Sequence, residues 1–382
     1  MAHADDRLNP HGAFHVPGSG PYALSHSVGC LPEAARVALE SGFTRPWREQ
    51  GAGAWDQWLQ GIGTFRTTLA SVFGGTAAQY CPQPNVSSGL AKLLGALPSA
   101  PAGAVVLAAE DSFPSLGFVL RQARRLGYEL RLIPRSASPA QIETWSGALS
   151  REVRAALVTH VHSNTGEVAP VAEIARLCAG RDILCILDAA QSAGILPLSF
   201  PECGAHVVLG SCVKWLCGGP GAGFMWISPA VLQSLQPEDV GWFSHADPFE
   251  MDIHHFEYAP DARRFWGGTP TVAPFVCAAA SLRVLSDIGV QAIHAHNRRL
   301  IEAFLGALPQ AWRMRIRTAN VGGTLCIHAG EALQQIQDAL AAAAVQFDCR
   351  GAVVRLSFHI YNTPDDAVRI ASAWERAVRH VP

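Results

Sequence analysis

With 382 residues, 49% of them hydrophobic, the chain is long enough for two domains, or one large domain with an appendage. A net charge of −2 gives nucleic acid or an acidic membrane surface no electrostatic hold, and no apolar run approaches the ~20 residues of a membrane span. Ten cysteines without a CxxC pair, several inside apolar runs (Cys178, Cys185, Cys277, Cys326), and a start without an apolar stretch over residues 1–7 point to a reducing, cytoplasmic setting. Fifteen histidines include His160-x-His162, His254-His255 and His294-x-His296, but no third ligand stands at useful spacing, so no metal is expected.

Residues 1–45 are loop-rich, with Pro10, Pro17, Pro21 and Pro32, and lead into a helix over 33–41. Trp55, Trp58, Leu59, Ile62, Phe65, Leu69 and Val72 recur at helical spacing over 54–73, a packing or dimer face. Ser87-Ser88-Gly89 opens an apolar helix over 90–97. Free backbone N–H groups, two hydroxyls and the positive end of the helix dipole suit an anion, although a plain helix cap explains the same residues.

From residue 104 the pattern alternates. Strands are expected over 105–109, 130–133, 155–161, 183–187, 207–209 and 222–227, the last running back after a tight turn. Helices fall over 116–126, 139–149 and 171–179. Such alternation implies an α/β fold with a mainly parallel sheet covered on both faces, and ligands at the carboxyl ends of its strands. Those ends carry Phe113, Ser163-Asn164, Asp188-x-x-Gln191 and Ser211-x-x-Lys214. Residues 237–270 form a long aromatic loop, the kind that tends to be functional. Helices over 272–288 and 290–308 then lead to a small α+β unit with strands over 313–317, 323–328 and 353–358 and helices over 333–344 and 365–378. The domain boundaries implied are 1–45 for an arm and first helix joining the small domain, 46–270 for the large domain, and 271–382 for linker helices and the small domain.

Lys214 stands out in this setting. The chain has only two lysines, Lys92 and Lys214, among 29 basic residues. An amine can shed its proton when desolvated and attack a carbonyl, which a guanidinium cannot do. A lysine able to form a Schiff base, with a carboxylate at the end of the neighbouring apolar strand, is the protein's share of pyridoxal phosphate chemistry.

The series Asp188-x-x-Gln191, Ser211-x-x-Lys214 with its glycine-rich turn, Gly241-Trp-Phe, Gly268-Thr-Pro and Val354-Arg-Leu-Ser-Phe-His-Ile-Tyr-Asn362 resembles fold-type I pyridoxal phosphate enzymes. Within them it is similar to the aminotransferase class V group, and to its kynureninase-like branch. The resemblance runs from about residue 20 to the end. It implies pyridoxal 5'-phosphate as cofactor and a large domain with a seven-stranded, mainly parallel sheet. It further implies that Asp188 faces the ring nitrogen, that Ser87, Ser88 and Ser211 hold the phosphate, that Phe113 stacks on the ring and that Gln191 meets the ring hydroxyl. Thr269 would reach the phosphate of a neighbouring subunit, making a homodimer with shared active sites. Arg355 would grip the substrate carboxylate, while His26, Trp242, Ser163 and Asn164 would line the substrate pocket. Two positions depart from the group: Gln191 stands where kynureninases carry histidine, and Val213 where they carry tyrosine and desulfurases histidine.

The resemblance implies an amino-acid substrate cleaved at Cβ, either carbon–sulfur lysis or a kynureninase-like carbon–carbon hydrolysis. The interval 345–354 is too short for the cysteine loop of a desulfurase. Transamination or epimerisation would use the same residues. A protein that keeps the fold without the cofactor is the reading from another class.

Overall fold

The computed structural model describes residues 12–379, so the reading of residues 1–7 lies outside the described residues. Two short strands, β1 (Phe14–His15) and β2 (Leu31–Pro32), pair antiparallel in the amino-terminal arm. Seven strands then build the main sheet: β3 (Tyr80–Gln83), β4 (Val105–Ala109), β5 (Glu129–Ile133), β6 (Val153–Thr159), β7 (Leu184–Asp188), β8 (Val207–Ser211) and β9 (Gly223–Ile227). Their order is β3-β9-β8-β7-β6-β4-β5. The pairs β4/β5, β4/β6, β6/β7 and β7/β8 are parallel, while β9 runs back against both β8 and β3. A smaller antiparallel sheet, β10 (Thr324–His328), β11 (Asp348–Arg350) and β12 (Val353–Ser357), has β12 in the centre.

The apolar pattern explains the layering. All five residues of β4 are buried, and they split by alternation: Val105, Leu107 and Ala109 pack into one core, Val106 and Ala108 into the other. The first core takes Ile62, Phe65 and Leu69 of the Trp55–Phe73 helix and Phe275 and Leu282 of the Ala273–Ile288 helix. The second takes Leu90 and Leu93 of the Val86–Gly95 helix. A third core belongs to the small sheet, with Phe304, Ile336, Phe358 and Trp374. The Ala273–Ile288 helix thus buries its face in the large core, and the small core begins with Leu300 of the Val290–Ala307 helix. Each large apolar side chain so buried stabilises the fold by roughly 1.5–3 kcal/mol. Among the described residues no single helix is long and apolar enough to cross a membrane. The one bent pair that passes together, Ala273–Ile288 with Val290–Ala307, turns through 77°.

Tyr80–Gln83 and residues 313–317 are among the elements that differ from the sequence reading. Tyr80–Gln83 is a strand that the pattern hid, because Pro82 argues against one; it survives at the sheet edge, where a missing N–H is tolerated. Residues 313–317 form no strand. Arg313 closes a short helix, Gln310–Arg313, and the buried pair Trp312 and Ile316 lies four residues apart, one helical turn rather than a pleat.

Candidate active site

Strand ends build the site, as the topology requires. β7 ends in Asp188, β8 in Ser211, and the turn after β8 carries Lys214. The Val86–Gly95 helix arrives with its amino terminus toward them. Asn85 caps it, its side chain accepting from the Ser88 amide at 2.8 Å. The Val86 and Ser87 amides occupy the first-turn positions that have no carbonyl within the helix. Ser87, Phe113, Ser163, Asp188, Gln191, Ser211 and Lys214 all line one cavity of about 260 Å³, together with Thr159, Val161 and Val213. Ser88 is absent from that lining; its amide donates to the Asn85 cap.

The polar groups of the cavity are poised but unspent. Among the described residues the Lys214 amine makes no hydrogen bond or ion pair; it stands 5.8 Å from the centre of the Phe113 ring. Asp188 accepts the Ala190 amide at 3.0 Å through Oδ1, and Oδ2 is left to the cavity. The hydroxyls of Ser87 and Ser211 likewise have no partner among the described residues. Burial pushes the Asp188 carboxyl above the usual carboxylate range, with the Ala190 amide and Lys214 pulling the other way. Burial also pulls the Lys214 amine below its ordinary value; Asp188 opposes this, and the positive charges of Arg350 and Arg355 add to it.

On the far side of the cavity the small sheet contributes a charged row. Arg355 of β12 lies between Cys326 of β10 and Asp348 of β11 in the strand register. Arg355 donates through Nε to Asp348 Oδ1 at 2.7 Å, through Nη2 to Oδ2, and through Nη1 to the Ser163 carbonyl at 3.1 Å. The fork expected to stand free for a substrate carboxylate is therefore occupied by Asp348, its cross-strand neighbour. His26 completes the row, with Nε2 3.0 Å from Asp348 Oδ1 and Nδ1 2.7 Å from the Ser357 hydroxyl. Burial raises the Asp348 carboxyl, but hydrogen bonds from His26 and Arg355 hold it below its ordinary value. His26 is buried and both its ring nitrogens are engaged, so it positions Asp348 rather than facing the cavity.

Arg350 escaped the sequence reading. Two residues beyond Asp348 on β11, it shares that residue's face of the strand. Its guanidinium stands 5.5 Å from the Phe113 ring centre and donates at 2.9 Å to both the Ser163 hydroxyl and Asn164 Oδ1. The Asp-x-Arg alternation just ahead of the Arg355 strand was the available signal. Gln191 lines the cavity, yet its amide also ties the arm down, donating to the His26 carbonyl at 3.0 Å and accepting from Trp215 Nε1 at 3.3 Å.

Thr269 and Trp242 are not brought to this cavity. They meet each other instead, Trp242 Nε1 donating to Thr269 Oγ1 at 3.3 Å, beside Trp55 and Phe249. Lys92 fastens their loop, donating to the carbonyls of Phe265 at 3.1 Å and Trp266 at 2.7 Å. Gly267 follows at φ +97°, a conformation that disfavours any side chain.

The arm itself presses on the lysine turn. The Gly29 amide donates to the Val213 carbonyl at 2.8 Å, and a Cβ on Gly29 would lie 2.2 Å from the Lys214 carbonyl oxygen. Gly29→Ala should therefore displace the turn that carries Lys214. We expect a loss of about 1–3 kcal/mol in a urea denaturation series, the usual cost of overpacking. A midpoint unchanged from wild type would show that the arm yields freely.

The profile of the family described as Aminotransferase class-V matches residues 95–370. A kynureninase of Deinococcus radiodurans is 28% identical over 302 residues, covering 76% of this chain and 72% of that protein. An uncharacterised aminotransferase of Bacillus subtilis is 26% identical and covers 82% of each chain. Among solved structures, a cystine C–S lyase in complex with cysteine persulfide superposes with a TM-score of 0.83 at 21% identity, covering 93% of this chain and 97% of that one. A cysteine desulfurase of Thermococcus onnurineus superposes with a TM-score of 0.82 at 17% identity, covering 95% of each chain.

Proposed function

The chain belongs to the aminotransferase class V family of pyridoxal phosphate enzymes, and from that premise we propose that it cleaves the side chain of an α-amino acid at Cβ. One observation carries the cofactor-dependent part of the reading. The Lys214 amine and the second oxygen of Asp188 are both unpartnered on one cavity, which also holds free serine hydroxyls and a helix amino terminus. That donor set fits the cofactor. Ser87, Ser211 and the first-turn amides would hold its phosphate. Asp188 would keep a proton on its ring nitrogen, Phe113 would form one wall, and Lys214 would anchor it covalently. When bound, pyridoxal phosphate supplies an electron sink for charge left on the substrate's α-carbon.

The protein's own residues do the rest. The Lys214 amine, whose protonated form burial disfavours, takes the proton from the α-carbon and can return it elsewhere. Arg350 and the Nη1 edge of Arg355 would meet the substrate carboxylate by giving up their bonds to Ser163 and Asn164, since Asp348 holds the other edge of Arg355. Thr269 and Trp242, paired away from the cavity of their own chain, would serve the phosphate and substrate pocket of a second subunit in a homodimer.

The C–S lyase and kynureninase relatives favour Cβ cleavage, and the position of Cys349 speaks against its carrying a persulfide as the loop cysteine of a desulfurase does. Cys349 alternates with Asp348 and Arg350 on β11, so it packs against the small core on the face away from the site. The aminotransferase relative keeps transamination, and with it epimerisation, in play as outcomes of the test.

A panel of amino acids carrying ketone, thioether or sulfoxide side chains, incubated with the holoenzyme in labelled water, decides between them. Cβ cleavage releases pyruvate with ammonia, or alanine, plus a side-chain fragment. Return of the intact amino acid with label at Cα, or its conversion to the matching 2-oxo acid, would replace the proposal with epimerisation or transamination. Absence of any visible absorbance on cofactor addition would sink the enzymatic reading altogether.

A further inference from the structure

The aromatic loop holds a second group of donors, away from the cavity. His245 Nε2 lies 2.7 Å from Glu250 Oε2, and His255 Nδ1 lies 2.7 Å from Glu250 Oε1. One ligand atom from each of the three residues falls within 4.8 Å of the other two. The histidine rings stand nearly perpendicular, 88° apart with centres at 5.6 Å. Spacing along the sequence did not reveal the set, because the third ligand is a glutamate midway between two histidines rather than another histidine or cysteine.

The tautomer of His245 is the informative detail. Its Nδ1 is 2.7 Å from the Glu257 carbonyl and 3.0 Å from the Glu257 amide. The Glu257 amide donates to Nδ1, which leaves Nε2 to carry the ring proton to Glu250. A divalent cation that displaced this proton would meet the imidazole nitrogen and the carboxylate oxygen together, with the His255 ring already on the carboxylate's other oxygen.

The geometry points to a binding site for one divalent transition-metal ion, zinc foremost, with His245, Glu250 and His255 as ligands. Two imidazoles and one carboxylate form the donor set of an open four-coordinate zinc site. With a metal on Nε2 the ring proton would sit on Nδ1, 2.7 Å from the Glu257 carbonyl, the outer contact such ligands ordinarily carry. Bonds of about 2.0–2.2 Å to each ligand ask the two close pairs to open by some tenths of an ångström. Glu250 and His255 can do so, because their side chains are 35% and 55% exposed. The fourth position opens on a hollow of about 260 Å³ lined by Trp242, Met251, Asp252 and Ile253, where water can complete the shell. Occupancy would fasten residues 245–255 into one closed turn beside the Trp242–Thr269 pair, giving the ion a positioning role for that loop.

The test needs no turnover assay. Holoenzyme is stripped with a chelator, then dialysed against Zn²⁺, and metal per chain is measured; Co²⁺ replaces Zn²⁺ for visible spectroscopy. Wild type should retain one ion per chain and show the intense visible bands of four-coordinate cobalt. Glu250→Gln and His255→Ala should each weaken Zn²⁺ binding by about tenfold or more, with unchanged far-ultraviolet circular dichroism. Uptake no greater than that of a His245→Ala/His255→Ala variant would overturn the site, leaving a proton-bridged surface cluster. Uptake that all the variants keep in full would overturn it equally, by placing the metal on other groups such as the ten cysteines.

Discussion

Lys214→Met will abolish turnover and yet make the cofactor-free protein more stable. If Lys214 is the covalent anchor and proton-transferring amine proposed above, its loss should lower kcat by ~10⁴ or more, the upper range for a positioned acid–base group. The same variant should show no visible absorbance with the cofactor. The stability gain follows from the direction of the pKa shift. Burial holds the Lys214 amine below its ordinary value despite the attraction of Asp188. Above about pH 10.4, the ordinary lysine value, neither folded nor unfolded chain carries the proton and the shift costs nothing. As pH falls, the unfolded lysine takes up a proton that the folded one refuses, so wild-type stability declines until the lowered folded value is passed. Methionine, of similar length and apolar, has no such penalty. The urea midpoint of cofactor-free Lys214→Met should therefore exceed wild type at pH 7, and the gap should narrow by pH 10. A variant less stable than wild type at pH 7 would mean that Lys214 contributes to the fold through contacts the cavity does not show.

The sequence made the scaffold readable because the sheet is buried on both faces. Runs such as Val105–Ala109 and residues 184–187 are apolar throughout, and intervening helices force parallel neighbours. Asp188 and Lys214 were legible for a related reason: charged groups at the ends of such runs contradict packing. Where two rules competed, the pattern misled. Pro82 masked an edge strand, and alternating arginines at 313, 315 and 317 imitated a pleat although Trp312 and Ile316 bury themselves one helical turn apart. The charged row opposite the cavity was legible only in part. Arg355 announced itself by its motif, but its pairing with Asp348 depends on a cross-strand register that a single sequence does not print. The same holds for the contact of Trp242 with Thr269, 27 residues apart along the chain.

Asp188→Asn tests the other end of the cavity. Asparagine keeps the shape and can still accept the Ala190 amide, now 3.0 Å from Oδ1, but it cannot hold a proton on the ring nitrogen by charge. Loss of one preorganised electrostatic group of this kind typically lowers kcat by about 10²–10³. KM should move little, because Arg350 and Arg355, the cations proposed for the substrate carboxylate, are untouched. The stability signature is the mirror of the lysine variant. Burial raises the Asp188 carboxyl, so wild type loses stability as pH rises from the unfolded value near 3.9 toward the raised folded value, and the loss persists above it. Cofactor-free Asp188→Asn should therefore match wild type most closely in acid and gain on it toward neutrality, where Lys214→Met gains as pH falls from 10. Opposite slopes from two residues that share one cavity are what a site prepared for a bound cation at one end and a carbonyl at the other requires. A variant with full turnover would show that the reaction does not depend on a charged ring, and would move the electron sink off Asp188.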